Sequence, residues 1–167
     1  MNHKILILYA TRAGSTVEIA RAIGEVLRAR GFEVDVKPVK ENPALAAYQA
    51  VILGSAIRMS NWLPEAVEFI KKNRWQLREI PTAFFTVYML NRDDSETSRQ
   101  ARQAYTASLH QILKPVDEAF FEGSMDYSKL KFLDRTIARM VEKQTNATPG
   151  DFRDWSKIRG WAQTVFA

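Results

Sequence analysis

Lys4-Ile5-Leu6-Ile7-Leu8-Tyr9-Ala10-Thr11-Arg12-Ala13-Gly14-Ser15-Thr16 is the stretch whose reading decides the fold. The apolar run from Ile5 to Ala10 has strand length and no alternation, as a strand covered on both faces requires. It is too short for a signal-peptide core or a membrane span. A hydroxyl-rich turn with one glycine follows and leads into a helical pattern from Ser15 to Arg30. There Val17, Ile19, Ala20, Ile23, Val26 and Leu27 fall to one side, with Glu18, Arg21, Glu25 and Arg28 opposite, and Gly31 closes the helix at C′. Strand, turn and amphipathic helix make the first half of a βαβ unit.

Working outward, the same alternation continues. Glu33 to Pro38 alternates apolar and polar residues and predicts an edge strand, whereas Ala50 to Gly54 and Thr82 to Val87 are continuous apolar runs that predict central strands. Ala119 to Gly123 is a fifth, shorter strand. Helical patterns cover Pro64 to Arg74, Ser95 to Leu113 and Trp155 to Phe166. Right-handed crossovers between five parallel strands predict a three-layer α/β sandwich, with the strands in the order 2-1-3-4-5 and residues 1–167 in a single domain. Any ligand then lies beyond the carboxyl ends of the central strands.

Composition narrows the chemistry. The 167 residues include no cysteine, so no disulfide, thiolate metal site or cysteine nucleophile can be proposed. The two histidines, His3 and His110, have no partner at metal-ligand or triad spacing and read as surface or structural residues. Lysine and arginine number 24 against 19 aspartate and glutamate, a net charge of +5. That sign suits nucleic acid, anionic lipid or an acidic protein without choosing among them. A cytoplasmic protein is expected.

The residues after the first, third and fourth strands carry the candidate site. Hydroxyls and free backbone N–H groups at a helix N-terminus bind a phosphate dianion, which Thr11, Arg12, Ala13, Gly14, Ser15 and Thr16 can supply. The turn lacks the three glycines of a dinucleotide fingerprint and the Gly-Lys-Ser/Thr ending of a triphosphate loop, so one terminal phosphate fits best. Ordinary N-capping by Ser15 or Thr11 is the alternative. After the third strand come Ser55, Ala56, Ile57, Arg58 and Met59, with Trp62 beyond; after the fourth come Val87, Tyr88, Met89, Leu90 and Asn91. Apolar surface next to polar groups in both segments suits a flat amphipathic ring, although Trp62 and Tyr88 can equally pack over neighbouring helices.

Together these loops resemble those of the flavodoxin superfamily, whose first turn follows Thr-x-Thr-Gly-x-Thr. Here Ala13 replaces the middle threonine and removes one hydroxyl. Within the superfamily the chain is similar over almost its whole length to the bacterial quinone-dependent protoporphyrinogen dehydrogenases. The marks are Thr-Arg-x-Gly in the first turn, Gly54-Ser55-Ala56-Ile57-Arg58, and the late segment from Asp134-Arg135 to Asp154-Trp155. The resemblance implies a flavodoxin-like fold, FMN as cofactor, and oxidation of porphyrinogen coupled to a membrane quinone in haem biosynthesis. Arg58 has a reading of its own: a cation beside a flavin could stabilise the reduced anion or meet a substrate carboxylate, and a surface residue paired with Glu65 is the equal alternative.

A basic amphipathic segment at about 126–147 has its own reading. Lys131, Arg135, Arg139 and Lys143 recur every four residues, with Leu130, Leu133, Ile137, Met140 and Val141 on another face. A helix from 130 to 143 would be about 20 Å long, short of the roughly 30 Å hydrocarbon core, so it could lie on an anionic membrane at the inner face of the cell membrane without crossing it; a solvated helix covering the sheet, its basic face touching nothing, is the alternative. Two other functions compete with the dehydrogenase: a flavodoxin-type electron-transfer protein with no substrate of its own, and a nucleic-acid module favoured only by charge. Carriers of the first kind are usually acidic, and no recognised motif supports the second.

Overall fold

The computed structural model describes residues 3–125 and 150–167. The basic segment at 126–147 therefore lies outside the described residues, as does the Asp134-Arg135 pair. Strand β1 (Lys4–Ala10) leads through the first turn into helix α1 (Ser15–Ala29), then β2 (Glu33–Pro38). Next come β3 (Ala50–Arg58), β4 (Asn61–Trp62), α2 (Pro64–Glu79), β5 (Thr82–Tyr88), α3 (Glu96–Ala104), α4 (Ala107–Ile112) and β6 (Asp117–Glu122). A small pair, β7 (Ser124–Met125) and β8 (Gly150–Asp151), precedes α5 (Trp155–Thr164).

The main path of the sheet is β2-β1-β3-β5-β6, all parallel, the expected 2-1-3-4-5 order in the five long strands. Because side chains alternate across a strand, the apolar runs divide between two cores. Ile5, Ile7, Ile52, Phe85 and Phe121 face α1 and α5, while Leu6, Leu8, Val51, Leu53 and Phe84 face α2 and α4. Glu18, Arg21, Glu25 and Arg28 stay on the exposed face of α1. Its C-terminus is joined to that of α5 by Arg30, whose Nη1 donates to the carbonyls of Ala162 and Val165, each at 2.7 Å. These charge-assisted bonds satisfy two orphan carbonyls at the end of a helix.

Several elements differ from the expectation: the fifth long strand is Asp117–Glu122 rather than Ala119 to Gly123, and the β7–β8 pair was not expected. The third strand does not stop at Gly54 but runs to Arg58, because Ser55 and Ala56 pair with Thr86 and Val87, and Ile57 and Arg58 then pair antiparallel with Trp62 and Asn61. Much of what reads as a loop is a strand and a two-residue hairpin. The helix expected over Ser95 to Leu113 is two helices, broken at Tyr105 and Thr106. Tyr105 is buried with its hydroxyl in the loop after β5, and the Thr106 hydroxyl donates to Glu118 in β6, so tertiary bonds override helical continuity. The helix from Pro64 continues past Arg74 to Glu79, through a non-helical Asn73 whose amide donates to the Phe69 carbonyl.

Gly54 is where the sheet tolerates no side chain. A Cβ there would lie 1.9 Å from Cζ of Phe85, its neighbour in register on β5, and Phe85 is fully buried. Gly54→Ala is expected to lower unfolding stability by about 3 kcal/mol or more, since no rotamer of a packed phenylalanine clears that overlap. Urea denaturation measures the loss.

Candidate functional site

The turn from Thr11 to Thr16 stands at the carboxyl end of β1, between β2 and β3, where the strand order reverses. This is the place at which open parallel sheets bind ligands. Gly14 takes φ 92° and occupies the N-cap position of α1, and no side chain caps the helix. The Thr11 hydroxyl instead accepts from the Gly14 N–H at 3.0 Å, folding the turn upon itself. Capping by Ser15 or Thr11 is thus not what starts this helix. Its first N–H groups have no intrahelical acceptor and carry the positive end of the helix dipole.

Thr16 deepens that picture. It has no solvent exposure, and its Oγ1 has no hydrogen-bond partner among the described residues. A buried hydroxyl left unpaired costs about 1 to 3 kcal/mol, a cost an anion at the helix start would relieve. Serine and threonine hydroxyls with uncapped helical amides form the donor set that a phosphate needs, so the residues present fit a phosphorylated cofactor.

Ion pairs lock the turn on both sides. Arg12 grips Glu65 in the first turn of α2 with both terminal nitrogens, Nη2 to Oε2 at 3.0 Å, and this bonding holds the Glu65 carboxyl below the usual range. Both Glu65 oxygens are therefore taken by Arg12 rather than by Arg58. On the other flank Glu18 of α1 pairs with Arg153, which also binds Asp151 at 2.8 Å. The same Arg153 guanidinium lies 4.8 Å from the centre of the Trp155 ring. The hydrogen bonds that Arg153 donates to Asp151, then to Glu18, raise the arginine's pKa still further.

The ring-binding candidates divide by where their side chains point. Ser55 is fully buried, its hydroxyl accepting from the Leu63 N–H at 3.0 Å and donating to the Ala56 carbonyl, so it braces the start of α2. Trp62 is buried too, packed on Phe84 with its Nε1 donating to the Thr86 hydroxyl at 2.9 Å. Val87 and Tyr88 are 3% exposed each, and burial raises the Tyr88 phenol pKa. These residues offer backbone rather than side chain. Ala56, Ile57, Arg58, Met89, Leu90 and Asn91 are half-buried, and Met59 is 75% exposed at the hairpin tip. Met59 and Ser60 take φ 52° and 64°, as a two-residue hairpin requires, without the Gly or Asn that adopts this region easily. Asn91 is left-handed as well, at φ 62°. Each of the three loops at this edge thus holds a positive-φ residue.

Residues that sequence reading passed over fix the loop after β5. Arg102 Nη1 donates to the carbonyls of Asn91 and Asp93, Arg92 Nε to that of Met89, and the Tyr105 hydroxyl accepts from the Asn91 amide at 2.8 Å. With these carbonyls occupied, acceptor capacity in the loop is consumed by protein. Arg92 also lies 3.5 Å from the centre of the Phe152 ring, and the Phe152 N–H donates to the Gly123 carbonyl. A Cβ on Gly123 would sit 2.7 Å from Val87 Cγ1, 3.5 Å from Ser15 Oγ and 3.6 Å from Met89 Sδ. Its missing side chain lets the first and fourth loops converge. A glycine directly after a strand was the one sequence signal for this approach. His110 is structural, its Nε2 2.6 Å from Glu118 Oε2. Among the described residues no group of ligating side chains could hold a metal ion, and no helix is long and apolar enough to cross a membrane.

Comparison with known proteins follows the same line. Residues 6–150 match the sequence profile of the family described as Flavodoxin domain. The chain is 26% identical over 170 residues to the protoporphyrinogen IX dehydrogenase [quinone] of Escherichia coli strain K12, covering 97% of this chain and 94% of that protein. It is 27% identical to the protein of the same name from Leishmania major, over 98% of this chain and 75% of the relative. In three dimensions it resembles oxidised Flavodoxin 1 from Bacillus cereus, with a TM-score of 0.54 and 16% identity over 83% of this chain and 97% of the other.

Asp93 gives the site a measurable pH signature. Hydrogen bonds from Ser95, hydroxyl and N–H, and from the Ser98 hydroxyl bring its pKa from 3.8 down to about 2. A carboxylate whose folded pKa is lowered stabilises the fold above its unfolded pKa and loses that contribution as pH falls through the folded one. Asp93→Asn is therefore expected to lower Tm at neutral pH, with the difference from wild type closing between about pH 4 and pH 2. Thermal unfolding across that range, followed by circular dichroism, measures it.

Proposed function

This chain belongs to the flavodoxin family, and from that premise we propose that it binds FMN and works as an oxidoreductase that dehydrogenates protoporphyrinogen with a quinone as oxidant. The observation that carries the cofactor assignment is the uncapped start of α1 beside the buried, unpartnered Thr16 hydroxyl. The substrate and oxidant come from the names of the two relatives, which align along nearly the whole of this chain.

In this reading Ser15, Thr16 and the backbone of Thr11 to Gly14 hold the phosphate. Arg12 supports the turn through Glu65 and so ties it to the hairpin segment that opens into α2. Ile57, Met59, Met89 and Leu90 would supply apolar contact to the flavin ring. The backbone from Val87 to Asn91, its carbonyls held back by Arg92, Arg102 and Tyr105, presents donors to the ring edge. Arg58 supplies positive charge at the same edge of the sheet, where it would stabilise negative charge on a reduced ring or meet a substrate carboxylate. Bound FMN supplies the redox chemistry. Peripheral association with an anionic membrane belongs to the same proposal, supported by the net charge of +5 and the basic repeat at Lys131, Arg135, Arg139 and Lys143.

Absorbance after loading with FMN and removing the excess tests the cofactor, and anaerobic mixing with protoporphyrinogen and menaquinone tests the reaction. Bound flavin with quinone-dependent porphyrin formation is the expected result. Bound flavin without turnover would leave an electron-transfer protein instead. Thr16→Val gives a sharper check, because its two effects have opposite signs. Removing an unsatisfied buried hydroxyl at constant volume should leave the stability of the apoprotein unchanged or raise it by about 1 kcal/mol, whereas loss of a hydrogen bond to a charged phosphate should weaken FMN binding by roughly tenfold or more.

A further inference from the structure

At the ligand edge of the sheet, Arg12, Arg102 and Arg153 are committed to the protein itself. Arg12 holds Glu65 with both terminal nitrogens, Arg153 holds Glu18 and Asp151, and Arg102 Nη1 takes the carbonyls of Asn91 and Asp93. Arg92 is different. It follows directly on the segment from Val87 to Asn91, is half-buried, and commits only Nε, which donates to the Met89 carbonyl at 2.9 Å. Among the described residues its Nη1 and Nη2 have no hydrogen-bond partner, and no carboxylate pairs with it.

The guanidinium is nevertheless held in one orientation. Its central carbon lies 3.5 Å from the centre of the Phe152 ring. At that distance it lies flat on the ring face, since a tilted guanidinium would drive a nitrogen into the ring. Lying flat, it directs its in-plane N–H groups sideways, and the Nε bond to Met89 fixes its rotation within the plane. Phe152 is fixed in turn. Its N–H donates to the Gly123 carbonyl at 3.1 Å, and its ring lies over Gly150, where a Cβ would come within 3.1 Å of Cζ. Gly123 is also where Ser15 and Met89 converge, so the platform is built against the first and fourth loops.

We infer that Arg92 anchors a carboxylate of the substrate, with Nη1 and Nη2 as a two-pronged donor and Phe152 as its platform. The inference rests on the dehydrogenase reading above. Two coplanar N–H donors match the two oxygens of a carboxylate, and a fork already held in place loses little freedom on binding. An oxyanion at this position has two sources, the cofactor phosphate or a substrate carboxylate. In the proposed site the phosphate occupies the start of α1, whereas Arg92 stands on the loop that meets the ring edge. Its anion is therefore the one carried by whatever lies against the ring. Protoporphyrinogen carries two propionates, and a quinone carries no anion, so Arg92 acts on the reductant and not on the oxidant.

Steady-state oxidation of protoporphyrinogen and of its dimethyl ester by the FMN-loaded protein, in the same detergent, tests the anchor. Wild type is expected to prefer the diacid. Arg92→Gln should lower kcat/KM for the diacid roughly 10- to 100-fold, as loss of a charge-assisted pair implies, while leaving the ester and the KM for quinone within about twofold. Arg92→Lys, which keeps the charge without the fork or the flat stack, should recover only part of the loss. Phe152→Leu should raise KM for the diacid about threefold with the arginine intact. Bound-flavin absorbance and thermal unfolding check that each variant keeps cofactor and fold. Equal losses for diacid and ester, or a quinone KM that rises with them, would make Arg92 a brace of the loop and overturn the anchor. A wild type indifferent to esterification overturns it without any variant. Weaker FMN binding with an unchanged preference for the diacid would assign the fork to the cofactor phosphate, and overturns it as well. Should wild type oxidise neither compound, the dehydrogenase reading fails, and fluorescence titration with protoporphyrin IX and its dimethyl ester decides the anchor separately. A diacid preference that Arg92→Gln removes supports it, and the lack of one overturns it.

Discussion

Parallel pairing of β1 with both of its neighbours is the constraint from which the rest follows. A parallel neighbour cannot be reached by a hairpin, so the chain crosses over between strands, through α1, through α2 and through α3 with α4, and between β2 and β3 through residues 39–49, which hold one 3-10 turn at Val39–Glu41. The loops that follow β1, β3 and β5 therefore emerge on one edge of the sheet. At β1 the order reverses, and α1 and α2 leave on opposite faces, which opens a crevice between them. Glu65 at the start of α2 and Glu18 near the start of α1 stand on either side of it, each holding an arginine from elsewhere in the chain. The ion pairs do not create the crevice; they fix the width that topology provides.

The same edge is where the backbone departs from its easy conformations. Gly14, Met59, Ser60 and Asn91 all take positive φ, and side chains spend their donors on loop carbonyls. Arg102, Arg92 and Tyr105 perform for the loop after β5 what a ladder of backbone bonds performs inside the sheet. A loop satisfied this way keeps its shape without being covered by other structure, which suits a surface that must face a ligand.

Most of the architecture was legible in the sequence because burial on both faces writes continuous apolar runs, and Ile5 to Ala10, Ala50 to Leu53 and Thr82 to Val87 are such runs. The turn from Thr11 to Thr16 was legible for a local reason as well, since its hydroxyls, glycine and helix start are adjacent. What escaped was set by distant partners. The break at Tyr105 and Thr106 depends on Asn91 and Glu118, and the role of Glu65 depends on an arginine 53 residues away. Trp62 and Tyr88 read in sequence as candidate ring contacts, but strand alternation turns their side chains into the interior. Period-2 geometry continues past Gly54 only because β5 and β4 offer pairing partners, which no window along the chain could reveal.

The bond from Arg30 to the end of α5 spans 132 residues. Ile19, Ile23 and Leu27 of α1 lie in the core that Ile158, Ala162 and Val165 complete. On a ribosome adding about 5 to 20 residues per second, the first helix waits roughly 7 to 26 seconds for that cover. Throughout the interval a nascent chain with β1, α1 and β2 already made carries an incompletely covered apolar stripe, which chaperones can bind. For this fold, the hazard of synthesis is concentrated in its oldest helix.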